Sequence, residues 1–373
     1  MTVIRHRDVL RFRFHRHQLD RRPDATRSVL DVDLLDYGVQ DTGPDGSAWA
    51  LAIRGAPSRA VRRGHRPPAS LVLAWTLRGA PHAYRRRDLA KVATATAPWS
   101  EADAATPLRR ADVDVLDALA VVASAMRRIV TRPSVKGEVS SRLSDELGEP
   151  YVRFCRVCDA THLYEQPFRL AALQAGLVLQ PGTSPPVLER AKGWDAPAYR
   201  HLADDATSRF DVIRNHLRFF GPTSAADVAA YVDSPRKEVA ARWPDDVAVV
   251  RVDGVERALL ADEVEELRDP PSVEGVVRML GPFDPYLQLR DRELLASTAA
   301  RRKELWPTLG RPGAVVVAGE VLGTWRPRTR RDRLTVQVTP WRRPTRRERA
   351  ALDEQADRLA TFRGTPLDAV VID

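Results

Sequence analysis

The chain has 373 residues, 43% of them hydrophobic and 29% charged, enough apolar content for a sizeable core and too much for a disordered chain. It carries two cysteines and no apolar run near the ~20 residues a bilayer-spanning helix needs, which argues against a disulfide scaffold and a helical membrane protein. The formal net charge is +9, and all but five of the 59 basic residues are arginines, so a cytoplasmic, nucleoid-associated protein facing a polyanion is expected.

In chain order, the N-terminal stretch alternates arginine with apolar residues and lacks the continuous apolar core of a signal peptide. Residues 7–19, 32–38 and 47–53 are helix candidates. Residues 71–77 then pair as a strand with 82–86 across Arg78-Gly79-Ala80-Pro81. Residues 111–130 and 134–147 supply two more helices, followed by two strands between 151 and 164 around Cys158-Asp159-Ala160. The third set is the cleanest. A helix ends at Phe219-Phe220-Gly221-Pro222, Thr223 or Ser224 caps a helix over 225–231, and Ser234 caps another beginning at Pro235. Residues 247–252 turn at Asp253-Gly254 into 255–260, a hairpin signal because both central turn residues need positive φ. Helices followed by a hairpin, three times over, is the order of a winged-helix DNA-binding unit.

The last third differs. Residues 280–286 are turn-rich and aromatic, residues 314–318 turn at Gly319-Glu320 into 321–325, residues 334–338 form another strand, and 345–362 read as a closing helix. The expected fold is α+β: tandem winged-helix motifs with a small C-terminal antiparallel β domain, divided near residues 1–105, 106–199, 200–268 and 269–373.

An arginine bias of this size also follows from a GC-rich genome, so its distribution matters more than its count. Arg85-Arg86-Arg87 and the runs at 326–333 and 342–349 flank strands, which suits two-pronged gripping of phosphates. On an exposed edge hairpin the same arginines would simply discourage aggregation. Cys155, Cys158, His162 and Glu165 fall within eleven residues and could supply a tetrahedral zinc set, although a hairpin with buried cysteines is the simpler reading. No phosphate-cradling glycine loop and no helical His-Glu-x-x-His is present, so no cofactor is expected.

The segments YGVQDTG at 37–43, WTLRGAPH at 75–82, CRVCDATHLYEQPFRLAAL at 155–173, FFGPTSAADVAAY at 219–231, LGPFDPYLQLRDR at 280–292 and GRPGAVVVAGEVLGTWRPR at 310–328 occur in that order. Together they resemble the winged-helix DNA glycosylases of the AlkZ/YcaQ-like type over roughly residues 7–363. The resemblance implies a monomer, C-shaped around a DNA channel, that excises N7-alkylated purines from double-stranded DNA and unhooks interstrand crosslinks. The family's Gln-x-Gln or Gln-x-Asp signature falls on Gln40-Asp41-Thr42, and Thr42 departs from it. Gln40 is expected to position the attacking water, with Thr42 assisting through its hydroxyl. In an extended segment Gln40 and Thr42 share a face and Asp41 points away. In a tight loop Asp41 could itself activate water, or it caps the helix near Ser47. Expected DNA contacts are Arg78, His82, Trp325, Arg326, Arg328, Arg330 and Arg331, although a lone histidine in a wing such as His82 is more often structural and Trp325 reads equally as a core aromatic. Asp284 either lines the channel or caps a turn. The other functional class is a non-catalytic winged-helix DNA binder, a regulator or lesion sensor, in which Thr42 marks lost activity.

Overall fold

A computed structural model describes residues 3–22, 24, 26–57, 67–104, 108, 113–156, 159–193 and 203–373. It begins with strand β1 (Val3–Ile4) and helix α1 (His6–Arg16), which buries Val9, Leu10, Phe12 and Phe14. Residues 32–38 do not form the expected helix. The chain makes two short 3-10 turns there, Val29–Asp31 and Asp33–Asp36. Arg85 explains the difference, because its guanidinium takes the carbonyls of Leu30 (2.7 Å) and Val32 (2.8 Å) and also pairs with the Asp36 carboxylate. The Val32 carbonyl also accepts from the Leu35 amide (3.1 Å), the i→i+3 spacing of a 3-10 turn rather than of an α-helix.

Strand β2 (Val39–Gln40), helix α2 (Gly46–Ala52), the hairpin β3 (Leu71–Trp75) with β4 (Pro81–Arg85), and helix α3 (Leu89–Ala95) complete the first set. The second comprises α4 (Val115–Ile129), β5 (Ser134–Val135), α5 (Lys136–Leu147), the hairpin β6 (Val152–Cys155) with β7 (Ala160–Leu163), α6 (Glu165–Gln174), β8 (Leu177–Leu179) and β9 (Val187–Arg190). Val115, Leu119, Val122, Met126 and Ile129 give α4 one buried face at helical spacing.

In the third set, α7 (Val212–Phe220) precedes α8 (Ala225–Val232), where Ser224 accepts a capping bond from the Asp227 amide. Helix α9 (Arg236–Ala241) starts one residue later than its sequence implies, with Pro235 in the cap position. Strands β10 (Val247–Val252) and β11 (Val255–Leu260) turn at Asp253 and Gly254, both at positive φ (45° and 87°), and α10 (Val264–Arg268) follows. The remainder is β12 (Val277–Leu280), α11 (Ala299–Leu305), β13 (Gly313–Val317), β14 (Glu320–Arg330), β15 (Arg333–Pro340), α12 (Arg346–Arg363) and β16 (Leu367–Ile372).

Strand pairing joins segments far apart in sequence. A six-stranded sheet of order β2-β4-β3-β8-β9-β5 crosses the boundary expected near residue 105, so the first two sets share a sheet. Strand β1 pairs in parallel with β10, adding the N-terminus to the third hairpin. The C-terminal sheet, β12-β13-β14-β15-β16, is mixed rather than antiparallel, because α12 carries the chain back and β16 lies parallel to β15. One apolar core cluster runs from Leu10 to Phe362 and ties the sheets and helices of this mixed α/β fold together. Among the described residues no helix is long and apolar enough to cross a membrane.

Candidate active site

Gln40 ends β2, which pairs with β4 so that Gln40 lies opposite His82. The alternation of a strand sends Val39 into the core and leaves Gln40 half-buried on the other side. The chain stays extended, and the Asp41 amide donates to the Pro81 carbonyl (2.8 Å). Gln40 and Thr42 therefore share a face, with Gln40 Nε2 donating to Thr42 Oγ1 (3.0 Å). Asp41 points away. Its carboxylate accepts from the Ser47 amide and hydroxyl, both at 2.8 Å, and so caps the start of α2. Gly46 permits this, since a Cβ there would lie 2.2 Å from the Asp41 carboxylate. Helix α2 is in turn fixed by Trp49, whose indole donates to the Met279 carbonyl (2.8 Å), and by the ion pair of Asp45 with Arg363.

Arg78 completes the arrangement. Its backbone is left-handed (φ 59°), an uncommon conformation for a non-glycine residue. That conformation lets the side chain reach both Tyr231 and Gln40: Nη1 donates to the Tyr231 carbonyl (2.9 Å) and Nη2 to Gln40 Oε1 (3.3 Å). The guanidinium also lies over the Tyr231 ring at 4.3 Å, and Tyr231 stacks on Tyr37 at 5.5 Å. Guanidinium can only donate, so the atom facing Arg78 is the amide oxygen and the nitrogen faces Thr42. The Gln40 amide is held at both ends. One N–H and one oxygen lone pair remain for a water or a sugar.

His82, an expected DNA contact, is only 1% exposed and cannot meet a phosphate in this structure. Its Nδ1 lies within hydrogen-bond reach of Thr76 Oγ1 (3.0 Å) and the Ala80 carbonyl (2.9 Å). Burial and the nearby Arg78 charge push its pKa down to about 3, so it is neutral. Trp325, likewise expected at DNA, is a core side chain whose indole donates to the Leu280 carbonyl (2.8 Å). Arg326, Arg328, Arg330 and Arg331 are exposed on the β14–β15 hairpin, whose tip residues Arg331 and Asp332 have positive φ. Of the Arg85-Arg86-Arg87 run, Arg85 is buried in the structural contacts above and only Arg87 is exposed without a backbone bond.

Cys158 lies outside the described residues. Among the described residues no group of three or more histidines, cysteines or carboxylates could hold a metal. Glu165 pairs with Lys136 and Arg169, each at 2.6 Å, and the His162 ring bonds the Leu163 carbonyl (3.0 Å).

Sequence reading named Asp284 but missed its partner Arg54 and the Arg13–Asp291 pair. Asp284 caps its 3-10 turn, as one reading had it, and also forms a fully buried two-pronged pair with Arg54 (2.7 and 2.8 Å). Arg13 is buried too, bonding Asp291 (2.7 and 3.1 Å) and the carbonyls of Gly221 (3.2 Å) and Pro222 (2.9 Å). These two arginines bring the segments around Phe219 and Phe283 beside the Gln40 loop, where a Cβ on Gly43 would stand 3.6 Å from the Phe283 ring. The enclosed space lined by Thr42, Pro44, Gly281 and Phe283 is only about 10 Å³. Behind the Arg78 turn lies a cleft of about 320 Å³ lined by Thr76, Trp99, Asp103, Leu170 and Asp233.

A fixed amide and, elsewhere on the same frame of helices and hairpins, exposed guanidiniums are suited to a protein that works on nucleic acid. Comparison with known proteins makes the class specific. The family model of the AlkZ-like DNA glycosylases matches residues 34–362, and the chain belongs to that family. The solved structure of Streptomyces sahachiroi DNA glycosylase AlkZ superposes with a TM-score of 0.73, at 20% identity and with 100% of both chains covered. At that identity the likeness is one of fold. No curated protein sequence matches the chain.

Proposed function

We propose that the protein is a monomeric, monofunctional glycosylase that hydrolyses the N-glycosidic bond of N7-alkylated purines in double-stranded DNA, interstrand crosslinks included. In this reading the helix–hairpin sets are winged-helix motifs around a concave channel, and the β14–β15 hairpin brings Arg326, Arg328, Arg330 and Arg331 to the duplex. The observation that carries the proposal is the Gln40 amide, held between Thr42 and Arg78. An N7-alkylguanine is already cationic and leaves readily, so the enzyme's task is to bring water to a sugar that becomes oxocarbenium-like. The free lone pair of Gln40 Oε1 orients that water, and Thr42, whose oxygen already accepts from Gln40, steadies it with its own O–H. Because Arg78 draws on the same carbonyl, Gln40 aligns water rather than removing its proton; the proton leaves to solvent after attack. The small enclosure beside Thr42 cannot take a purine, so a base drawn out of the stack would have to lie elsewhere, as in the cleft lined by Arg78.

The test is single-turnover release of 7-methylguanine from a duplex by the wild type and by Gln40→Ala. Release slower by about 10²-fold with binding unchanged is expected, the loss typical of one preorganised polar group. Undiminished release discards the role of Gln40. Tight binding by the wild type without any release would instead support a non-catalytic DNA binder.

A further inference from the structure

The segment 283–292 sorts its charges by side. Its carboxylates turn inward: Asp284 to the buried Arg54, and Asp291 to the buried Arg13. Its arginines turn outward. Arg292 lies over the Trp306 ring at 4.9 Å, and Arg311, from the neighbouring turn, lies over the Phe283 ring at 4.8 Å. Arg290 is exposed beside Tyr231 and Arg78. Arg13, Arg16 and Arg54 each reach an acid, whereas among the described residues Arg290, Arg292 and Arg311 have no carboxylate within ion-pair distance. Aromatic seating fixes the heads of Arg292 and Arg311 without neutralising them, and two buried ion pairs pin the backbone that carries Arg290 and Arg292.

We propose that Arg290, Arg292 and Arg311 form a seat for a DNA backbone phosphodiester, placed by Phe283 against the Gln40–Thr42 loop. The physical reason is that like charges have been gathered at a half-buried surface with no carboxylate in ion-pair contact, the Asp233 charge offsetting only part of the repulsion at Arg290. Burial lowers the pKa of all three, and neighbouring arginines add to the effect at Arg290 and Arg311. An entering phosphate relieves that repulsion, and planar guanidiniums match its oxygens two at a time. A phosphate held here would set the register of the strand so that its next sugar faces the Gln40 amide. This seat rests on the glycosylase reading only in that the ligand is DNA.

The experiment is fluorescence anisotropy of an undamaged duplex across a salt series, with wild type, Arg290→Gln, Arg311→Gln, and the control Arg128→Gln, whose side chain pairs with Glu146. Each seat variant is expected to lower the slope of log affinity against log salt by about 1, and the double variant by about 2, while the control leaves it unchanged. Lysine at the same positions should keep the slope and lose affinity, which separates loss of charge from loss of fold. Slopes equal to wild type in both glutamine variants overturn the seat, as does an equal fall in Arg128→Gln. A seat that titrates as expected in a protein releasing no base would sink the proposed activity and leave the phosphate seat standing.

Discussion

Replacing Arg78 with lysine separates positioning from charge. The guanidinium spans from the Tyr231 carbonyl to Gln40 Oε1, with Nη atoms at 2.9 and 3.3 Å, while resting over the Tyr231 ring. An ammonium is one point charge and cannot serve both acceptors in that geometry. The bond to Gln40 is long and only partly shielded, so its loss is worth about 1.5 kcal/mol, the low end for a charged donor. If that bond holds the amide in its working orientation, the release rate should fall about tenfold, since 1.4 kcal/mol is a factor of ten. Backbone strain is the same for lysine, so folding should be little changed. The assay is single-turnover release with protein in excess, run beside binding and a thermal melt. A wild-type rate, or a loss confined to binding, would refute the positioning role of Arg78.

Other consequences follow from the same contacts. In Gly313→Ala the new Cβ would lie 2.3 Å from Trp325 Nε1 and 2.4 Å from the Leu280 carbonyl, so calorimetry should show a loss of about 1–3 kcal/mol. Stability should fall with acid because His17, His82 and His216 are held neutral by burial, with folded pKa values below the ordinary 6.5. As pH drops from 7.5 to 5.5 the three histidines of the unfolded chain take up about 2.5 protons that the folded one refuses, a loss of about 4 kcal/mol. Glu263, raised to about 7 by burial, works the other way and restores about 2 kcal/mol, and His15 and His162, whose pKa values are raised, act in the same sense, so urea melts at the two pH values should show a fall smaller than the three buried histidines alone would give. The charge-removing substitutions Arg328→Gln and Arg330→Gln, both on the exposed hairpin, should each flatten the salt dependence of duplex binding by about 1; unchanged slopes would place that hairpin away from DNA.

What the sequence disclosed was local. The Asp253-Gly254 turn, the Ser224 cap and the single apolar face of α4 depend on neighbours within a few residues, and each formed where its pattern lies. The extended reading of residues 40–42 also held, because a period of two places Gln40 and Thr42 together. Long-range pairing was not legible. Strands β1, β8, β9 and β16 are short or lack a clear alternation, and their partners lie far along the chain. Arginine was misleading for the same reason. Arg13, Arg54 and Arg85 look like surface charge in the sequence, yet Arg13 meets Asp291 across 278 residues and Arg54 meets Asp284 across 230. Only their removal from the tally shows which guanidiniums remain for a ligand, among them Arg290 and Arg311. Tyr231 gave no sign of its part, since the bond from Arg78 spans 153 residues.

The most direct measurement is product analysis after the wild-type protein meets a duplex bearing one N7-methylguanine. Free 7-methylguanine, appearing in step with an abasic site on an otherwise intact strand, is the outcome that a water-positioning Gln40 predicts. A duplex that is bound tightly and recovered whole, or one cut at the lesion without a hydrolytic abasic site, would contradict it.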